Sequence, residues 1–298
     1  MNGILCINKP QEYTSFDVVA RIRGMSKTKR VGHSGTLDPM ATGVLPIFLG
    51  AATKACNLLP DDSKCYEAAF ALGKETDTLD CWGTIKKVRE AHVRIEEIQA
   101  ILPRFTGEIE QIPPMYSAVR INGQRLYDIA RQGKEVERPP RKVRITQLEC
   151  TAFNEKDQTG VLAVSCSKGT YIRSIISDIG TALGCGAVMT GLVRVKACGF
   201  TLNECITLSE AQELTEKGEL ESKLQPVDHL FYHLPRICLN EVQAVKLKNG
   251  VRLDLHRVNH KPVDTMHRVY GPDKTFLGLA SLDHSDDSLR IEKMFIEK

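Results

Sequence analysis

Apolar and polar positions along the chain fall into short blocks whose period changes several times. Residues 3–8 are an apolar run ending at Lys9-Pro10, as a short strand would. Thr14-Ser15-x-Asp17 then offers capping groups for a helix through Val18, Val19 and Ile22. Residues 44–50 are continuously apolar and fit a buried strand. Residues 64–73 alternate two faces, with Tyr66, Ala68, Phe70 and Leu72 on one. Residues 95–102 read as a helix stopped by Pro103, and residues 124–132 as another after the Asn122-Gly123 turn. Residues 141–153 and 160–167 read as paired strands around a polar turn. The clearest helix covers 171–183: Ile172, Ile175, Ile176, Ile179 and Leu183 make one apolar stripe, and Gly184 lies just past its end.

Strands and helices mixed without regular βαβ alternation predict an α+β fold with a mixed, mainly antiparallel sheet. The pattern shifts near residue 230. An acidic helical region ends at Pro226-Val227-Asp228, and His233-Leu234-Pro235 has the look of a linker. Beyond it come a short strand, a helix capped by Asn240 and ended by Asn249-Gly250, and strands at 266–270, 276–282 and 289–296. The expected division is 1–233 for a large domain and 234–298 for a small, partly closed β-barrel.

Composition narrows the class. The 298 residues, 42% hydrophobic and 26% charged, are ordinary for a globular protein with room for about two domains. No run approaches the ~18 apolar residues of a membrane span, and the N-terminus lacks the pattern of a signal peptide. Ten cysteines include no C-x-x-C pair and no clustered Cys/His spacing, so reduced thiols in the cytoplasm and no metal are the expectation. The net charge is only +3, but its distribution is uneven. Residues 116–145 hold eight cations against three acids, and residues 203–228 seven acids against two lysines. Segregation of that kind is what a one-sided phosphate-binding surface produces.

The densest candidate chemistry lies in Gly32-His33-Ser34-Gly35-Thr36-Leu37-Asp38-Pro39-Met40-Ala41-Thr42-Gly43. Pro39 biases Asp38 towards extended backbone, and Gly32, Gly35 and Gly43 permit positive-φ turns. Arg21, Arg23, Lys27, Lys29 and Arg30 precede the loop, with no acid between Val18 and Leu37. A presented carboxylate beside a basic segment points to chemistry on a polyanion. In itself such a loop is also an ordinary turn.

The full string resembles the catalytic loop of the TruB family, the bacterial tRNA pseudouridine-55 synthases. Five more segments resemble the same family in order: Asn8-Lys9-Pro10 with Thr14-Ser15; Lys64-Cys65-Tyr66 with Thr76-Asp77-Thr78-x-Asp80-x-x-Gly83; Gln111-Ile112-Pro113-Pro114-x-Tyr116-Ser117-Ala118; Gly169-Thr170-Tyr171-Ile172-Arg173-Ser174; and Leu192-x-Arg194. Glu12-Tyr13 stand where the family often has a glycine-containing turn.

The resemblance implies a pseudouridine synthase fold followed by a PUA-like RNA-binding domain, and an isomerase that needs no cofactor. It makes Asp38 the nucleophile, acting on the base or at the sugar of a flipped-out uridine 55. It makes Arg173 the cation that keeps Asp38 ionised, and Tyr66 the ring that stacks on the uracil. Tyr171 and Leu192 would enclose the base, and His33 would fill the gap it leaves. Lys9 would contact phosphate or support the loop, and Asp80 and Tyr116 would be structural members of the pocket wall. The basic stretch 116–145 would be an insertion that closes on RNA. The implied partner is the T-stem and T-loop of tRNA, with no obligatory protein partner and a monomeric chain. A non-catalytic tRNA-binding or folding protein would use the same surface but would not need Asp38, Tyr66 and Arg173 together. A guide-RNA-dependent catalytic subunit, as in archaea and eukaryotes, would carry extra terminal segments.

Overall fold

The structure, a computed structural model, describes residues 1–59, 63–259 and 265–296. In chain order the first part contains β1 (Gly3–Lys9), α1 (Ser15–Ser26), β2 (Val31–His33), β3 (Thr42–Leu49), β4 (Lys64–Leu72), β5 (Lys74–Thr76), β6 (Ile85–Val88), α2 (Ile95–Ile101) and β7 (Gly107–Gln111). There follow β8 (Arg120–Ile121), β9 (Gln124–Arg125), α3 (Leu126–Arg131), β10 (Arg141–Asn154), β11 (Thr159–Cys166), α4 (Ile172–Ala182), β12 (Ala187–Ala197), β13 (Phe200–Thr201) and α5 (Leu208–Glu216). The last part holds β14 (Arg236–Cys238), α6 (Glu241–Lys248), β15 (Leu253–Asp254), β16 (His267–Tyr270), β17 (Phe276–Asp283) and β18 (Ser288–Met294).

Nine strands form one mixed sheet in the order β1-β3-β12-β4-β11-β10-β7, with β2 added to β3 and β13 to β12. The pairings are antiparallel except the short β3–β12 contact, where Thr42 faces Val193 and Gly43 faces Arg194. That contact brings the end of the Asp38 loop against the centre of the sheet. Alternation in β4 buries Tyr66, Ala68, Phe70 and Leu72 as the pattern predicts. They join the Ile172, Ile175, Ile176 and Ile179 stripe of α4 in one core cluster. On the β1–β3 side, α1 buries Val18, Val19 and Ile22 against Leu5, Ile7, Leu45 and Ile47. Its start is fixed by a capping box in which Thr14 and Asp17 bond reciprocally. Burying each such aliphatic side chain contributes about 1.5–3 kcal/mol. The predicted helix at 124–132 is shorter: Gln124 and Arg125 instead pair with Arg120 and Ile121 in a hairpin, and α3 begins at Leu126.

A second sheet runs β14-β16-β17-β18-β15. The expected small barrel is an open sheet here. Its outer strands are three and two residues long, too short to complete a ring, and Ala244 and Leu247 of α6 help fill its core instead. Leu279 of this sheet and Phe295, just past β18, pack with Phe48 and Phe200 of the large sheet and with Phe231 of the turn that precedes β14. Among the described residues no helix is long and apolar enough to cross a membrane.

Candidate active site

The Asp38 loop is pinned from several directions. Leu37, Met40 and Ala41 are buried on either side of Asp38. Ser15 Oγ accepts from Leu37 N–H at 2.8 Å and donates to its carbonyl at 3.2 Å. Asp38 itself opens a β-turn with Pro39 second, closed by Ala41 N–H on the Asp38 carbonyl at 3.0 Å. Gly35 and Gly43 have φ of +84° and +105°; Gly32 needs no such freedom, because it lies within β2. Gly43 is further constrained by β12, where a Cβ would stand 2.3 Å from the Arg194 carbonyl oxygen. Gly43→Ala is therefore expected to cost about 3 kcal/mol or more from overpacking and positive-φ strain. Thermal unfolding should register this as a Tm lower by about 5–10 °C.

Arg194, fully buried on β12, reaches both ends of the loop. Its Nε donates to the Val44 carbonyl at 2.7 Å, and its two terminal nitrogens donate to the Gly35 carbonyl at 3.3 Å. The family string containing Arg194 was visible in the sequence, but its part in holding the loop was not. Lys9 has the second of its two expected roles, support of the loop. It is fully buried, and its Nζ donates to the carbonyls of Pro10, Tyr13 and Pro39 at 2.8, 2.6 and 3.3 Å. These three bonds occupy the donors of the ammonium and tie Pro39 of the Asp38 loop to the turn after β1. Desolvation pulls its pKa down to about 8.

A cavity of about 270 Å³ opens above the loop. Asp38, Tyr66, Tyr171, Arg173 and Leu192 all line it, so five of the seven candidate residues meet at one place. Arg173, the second residue of α4, projects off the isoleucine stripe, and its Nε lies 2.9 Å from Asp38 Oδ2. Both terminal nitrogens are engaged as well: Nη1 by the Thr78 carbonyl at 2.9 Å and Asp80 Oδ2 at 3.4 Å, Nη2 by the Tyr116 carbonyl at 3.0 Å. Asp80 and Tyr116 thus act through Arg173. Buried Gln111 fixes Tyr171 with two bonds, accepting from its N–H at 2.7 Å and donating to its carbonyl at 3.0 Å. Lys64 and Lys168 also line the cavity and bring positive charge to it. Only their place beside the Tyr66 and Gly-Thr-Tyr strings marked them in the sequence. His33 ends β2 and is not among the lining residues; burial lowers its pKa, and its Nδ1 is buried without a hydrogen-bond partner among the described residues.

Electrostatics depart from the simplest expectation. Arg173 alone would hold the Asp38 carboxyl low. Burial by the cavity walls outweighs it and pushes the pKa up, with nearby Asp80 adding to the rise and Arg173 and Lys9 opposing it. The side chain is still 36% exposed, so the carboxylate is open to a ligand. Burial raises the Tyr66 phenol to about 12, against the pull of the Arg194 guanidinium, and so keeps it protonated at neutral pH.

A lone carboxylate on a cavity floor, oriented by one guanidinium and walled by two tyrosines and a leucine, can act as a covalent nucleophile on a flat, partly polar ring. That arrangement is the one the resemblance to the pseudouridine synthases implies. The model described as TruB family pseudouridylate synthase (N terminal domain) matches residues 23–172, and that described as tRNA pseudouridylate synthase B C-terminal domain matches residues 173–232. The chain belongs to the TruB family. Proteins named tRNA pseudouridine synthase B are similar along nearly all of it. The one from Dehalococcoides mccartyi is 45% identical over 99% of this chain and 97% of its own, and that from Clostridium perfringens strain 13 is 41% identical over both entire chains. The one from Bacillus pumilus is 44% identical over 86% of this chain and 84% of its own. Among solved structures, a chain of a Cbf5-Nop10-Gar1 complex has a TM-score of 0.73 at 25% identity, covering 99% of this chain and 85% of that one.

Proposed function

We propose that this protein is a tRNA pseudouridine synthase that isomerises uridine 55 in the T-loop, with Asp38 as nucleophile. The observation that carries the reading is the Asp38–Arg173 pair at 2.9 Å in a cavity lined by Tyr66, Tyr171 and Leu192. The reaction breaks the C1′–N1 bond, turns the uracil and joins C5 to C1′. The C5 proton leaves and N1 gains one, so atoms and electrons balance without a redox partner. The target must first leave its stack, at a cost of a few kcal/mol. Stacking on Tyr66 returns about 1–3 kcal/mol of that. Tyr171 and Leu192 keep water from the base while it turns. The Tyr66 hydroxyl, neutral at working pH, relays the C5 proton. His33, beside the cavity, occupies the gap left by the flipped base.

Residues 1–233 form the catalytic domain in this reading, and residues 234–298 a PUA-like RNA-binding domain. The cationic stretch 116–145, which includes the β8–β9 hairpin, closes on the phosphates of the T-arm. The chain works as a monomer on tRNA in the cytoplasm, with no protein partner required.

The test is to incubate the purified protein with an unmodified tRNA transcript and map pseudouridine chemically. Stoichiometric conversion at position 55 is the expected result. A transcript left unconverted, or converted elsewhere, overturns the reading.

A further inference from the structure

Trp82 is the single tryptophan of the chain and stands 52% exposed on the turn between β5 and β6. The turn is firmly built. Thr84 N–H donates to Asp77 Oδ1 at 2.8 Å. Trp82 N–H and Thr78 Oγ1 both donate to Asp80 Oδ1, at 3.1 and 2.7 Å. Gly83 lets the turn close, since a Cβ there would stand 2.2 Å from Thr78 Oγ1. The other oxygen of Asp80 meets Arg173, whose Nε holds Asp38. One carboxylate and one guanidinium therefore connect the backbone of Trp82 to the proposed nucleophile.

The surroundings fit a polyanion. Ile85 and Val88 of the same hairpin are exposed, as are Lys74, Lys86 and Lys87. Arg89 at its end is paired with Glu75, whereas the three lysines form no ion pair among the described residues. A rigid, exposed indole gains nothing for the fold by facing water. An aromatic face beside unpaired cations is the composition of a platform for unstacked bases. Hydrogen bonds through Asp80 and Arg173 tie the turn that carries it to the Asp38 loop.

We propose that Trp82 stacks on a nucleobase of the T-arm outside the Asp38 cavity, with the hairpin lysines on the adjoining phosphates. The proposal rests on the tRNA reading above. Because Trp82 is the sole tryptophan, its emission reports on this surface alone. Titrating Asp38→Asn protein, which does not turn over, with an unmodified T-arm hairpin should quench the emission saturably. On that background, with binding read from the anisotropy of an end-labelled hairpin, Trp82→Ala should weaken Kd about 5- to 150-fold, the range of aromatic–base stacking, and Trp82→Phe should recover most of the loss. With Asp38 intact, Trp82→Ala should raise KM by a similar factor and change kcat by less than about threefold, as expected of uniform binding. Emission unchanged at saturating RNA, or Trp82→Ala binding within twofold of its parent, overturns the proposal. So does a concentration-dependent self-association that Trp82→Ala abolishes while RNA affinity stays the same, because the surface would then seat a second copy. Failure of the intact enzyme to convert any transcript would instead strike the functional reading.

Discussion

Asp38→Asn is expected to lower turnover by at least about 10⁴-fold, the scale on which loss of a nucleophile acts. The amide keeps the shape of the carboxylate but cannot form the covalent bond that holds the reacting centre while the uracil turns. Folding should not suffer. The folded-state pKa of Asp38 is raised, so the native protein binds its proton more readily than the unfolded chain does. Its contribution to stability is thus greatest at low pH and declines as pH rises through the window above the ordinary aspartate value. At neutral pH the charged form is a burden on the fold, and an uncharged amide should leave Tm unchanged or higher. Initial rates on a tRNA transcript, read beside thermal unfolding of the same preparation, check both halves. Residual activity near wild type defeats the nucleophile assignment, and a Tm lower by several degrees would mean that the loss of rate reflects unfolding.

Arg173→Ala should be the second severe loss, and its effect divides in two. Removing the guanidinium leaves Asp38 without its counter-ion and strands the carbonyls of Thr78 and Tyr116 and the carboxylate of Asp80. The sequence alone predicts a variant that folds normally, because a helix arginine off the apolar stripe looks dispensable. The structure shows it buried with all four partners, so a stability cost of about 3–5 kcal/mol accompanies the loss of turnover. Arg173→Lys keeps a charge but cannot serve four acceptors, and should fall between. The acid limb of kcat/KM separates chemistry from folding. In the wild type it should lie above the ordinary aspartate range, since the Asp38 carboxyl must be ionised and is raised by burial. Losing Arg173 removes a force that lowers that pKa, so the limb should move to higher pH in Arg173→Ala and less far in Arg173→Lys, which keeps a charge. A limb that stays put while the rate falls would show that Arg173 does not set the charge of Asp38.

Much of the scaffold was legible because its signals are local. The α1 capping box, the β4 alternation and the α4 isoleucine stripe each need no more than a dozen consecutive residues, and each forms where its period says. Strand β12 was not legible, although it is central to the sheet. Thr190, Gly191, Arg194 and Lys196 interrupt its apolar positions, and register shifts against β4 at Met189/Gly191 and Arg194/Lys196 break its period. The Asp38 loop and five residues of the cavity were readable as family strings, but what holds them was not. Gln111 meets Tyr171 across 60 positions and Arg194 meets Gly35 across 159, and no local pattern encodes such pairings. Which of its two roles Lys9 takes was illegible for a related reason. A lysine in a sequence looks like a surface charge, whereas here three carbonyls converge on it from two separate loops. The direction of the Asp38 shift depended on how tightly the walls close, which counting charges cannot supply.

The double grip of Arg194 on Gly35 and Val44 has a dynamic consequence. A segment tied at both ends to an interior strand of a sheet is held against fraying on its own. The amide of Leu37, bonded to buried Ser15, should then exchange its hydrogen as slowly as the most protected amides of β3 and β4. The nucleophile would sit in the last unit of the molecule to melt, its conformational entropy already surrendered at folding, so an arriving uridine has only itself to order.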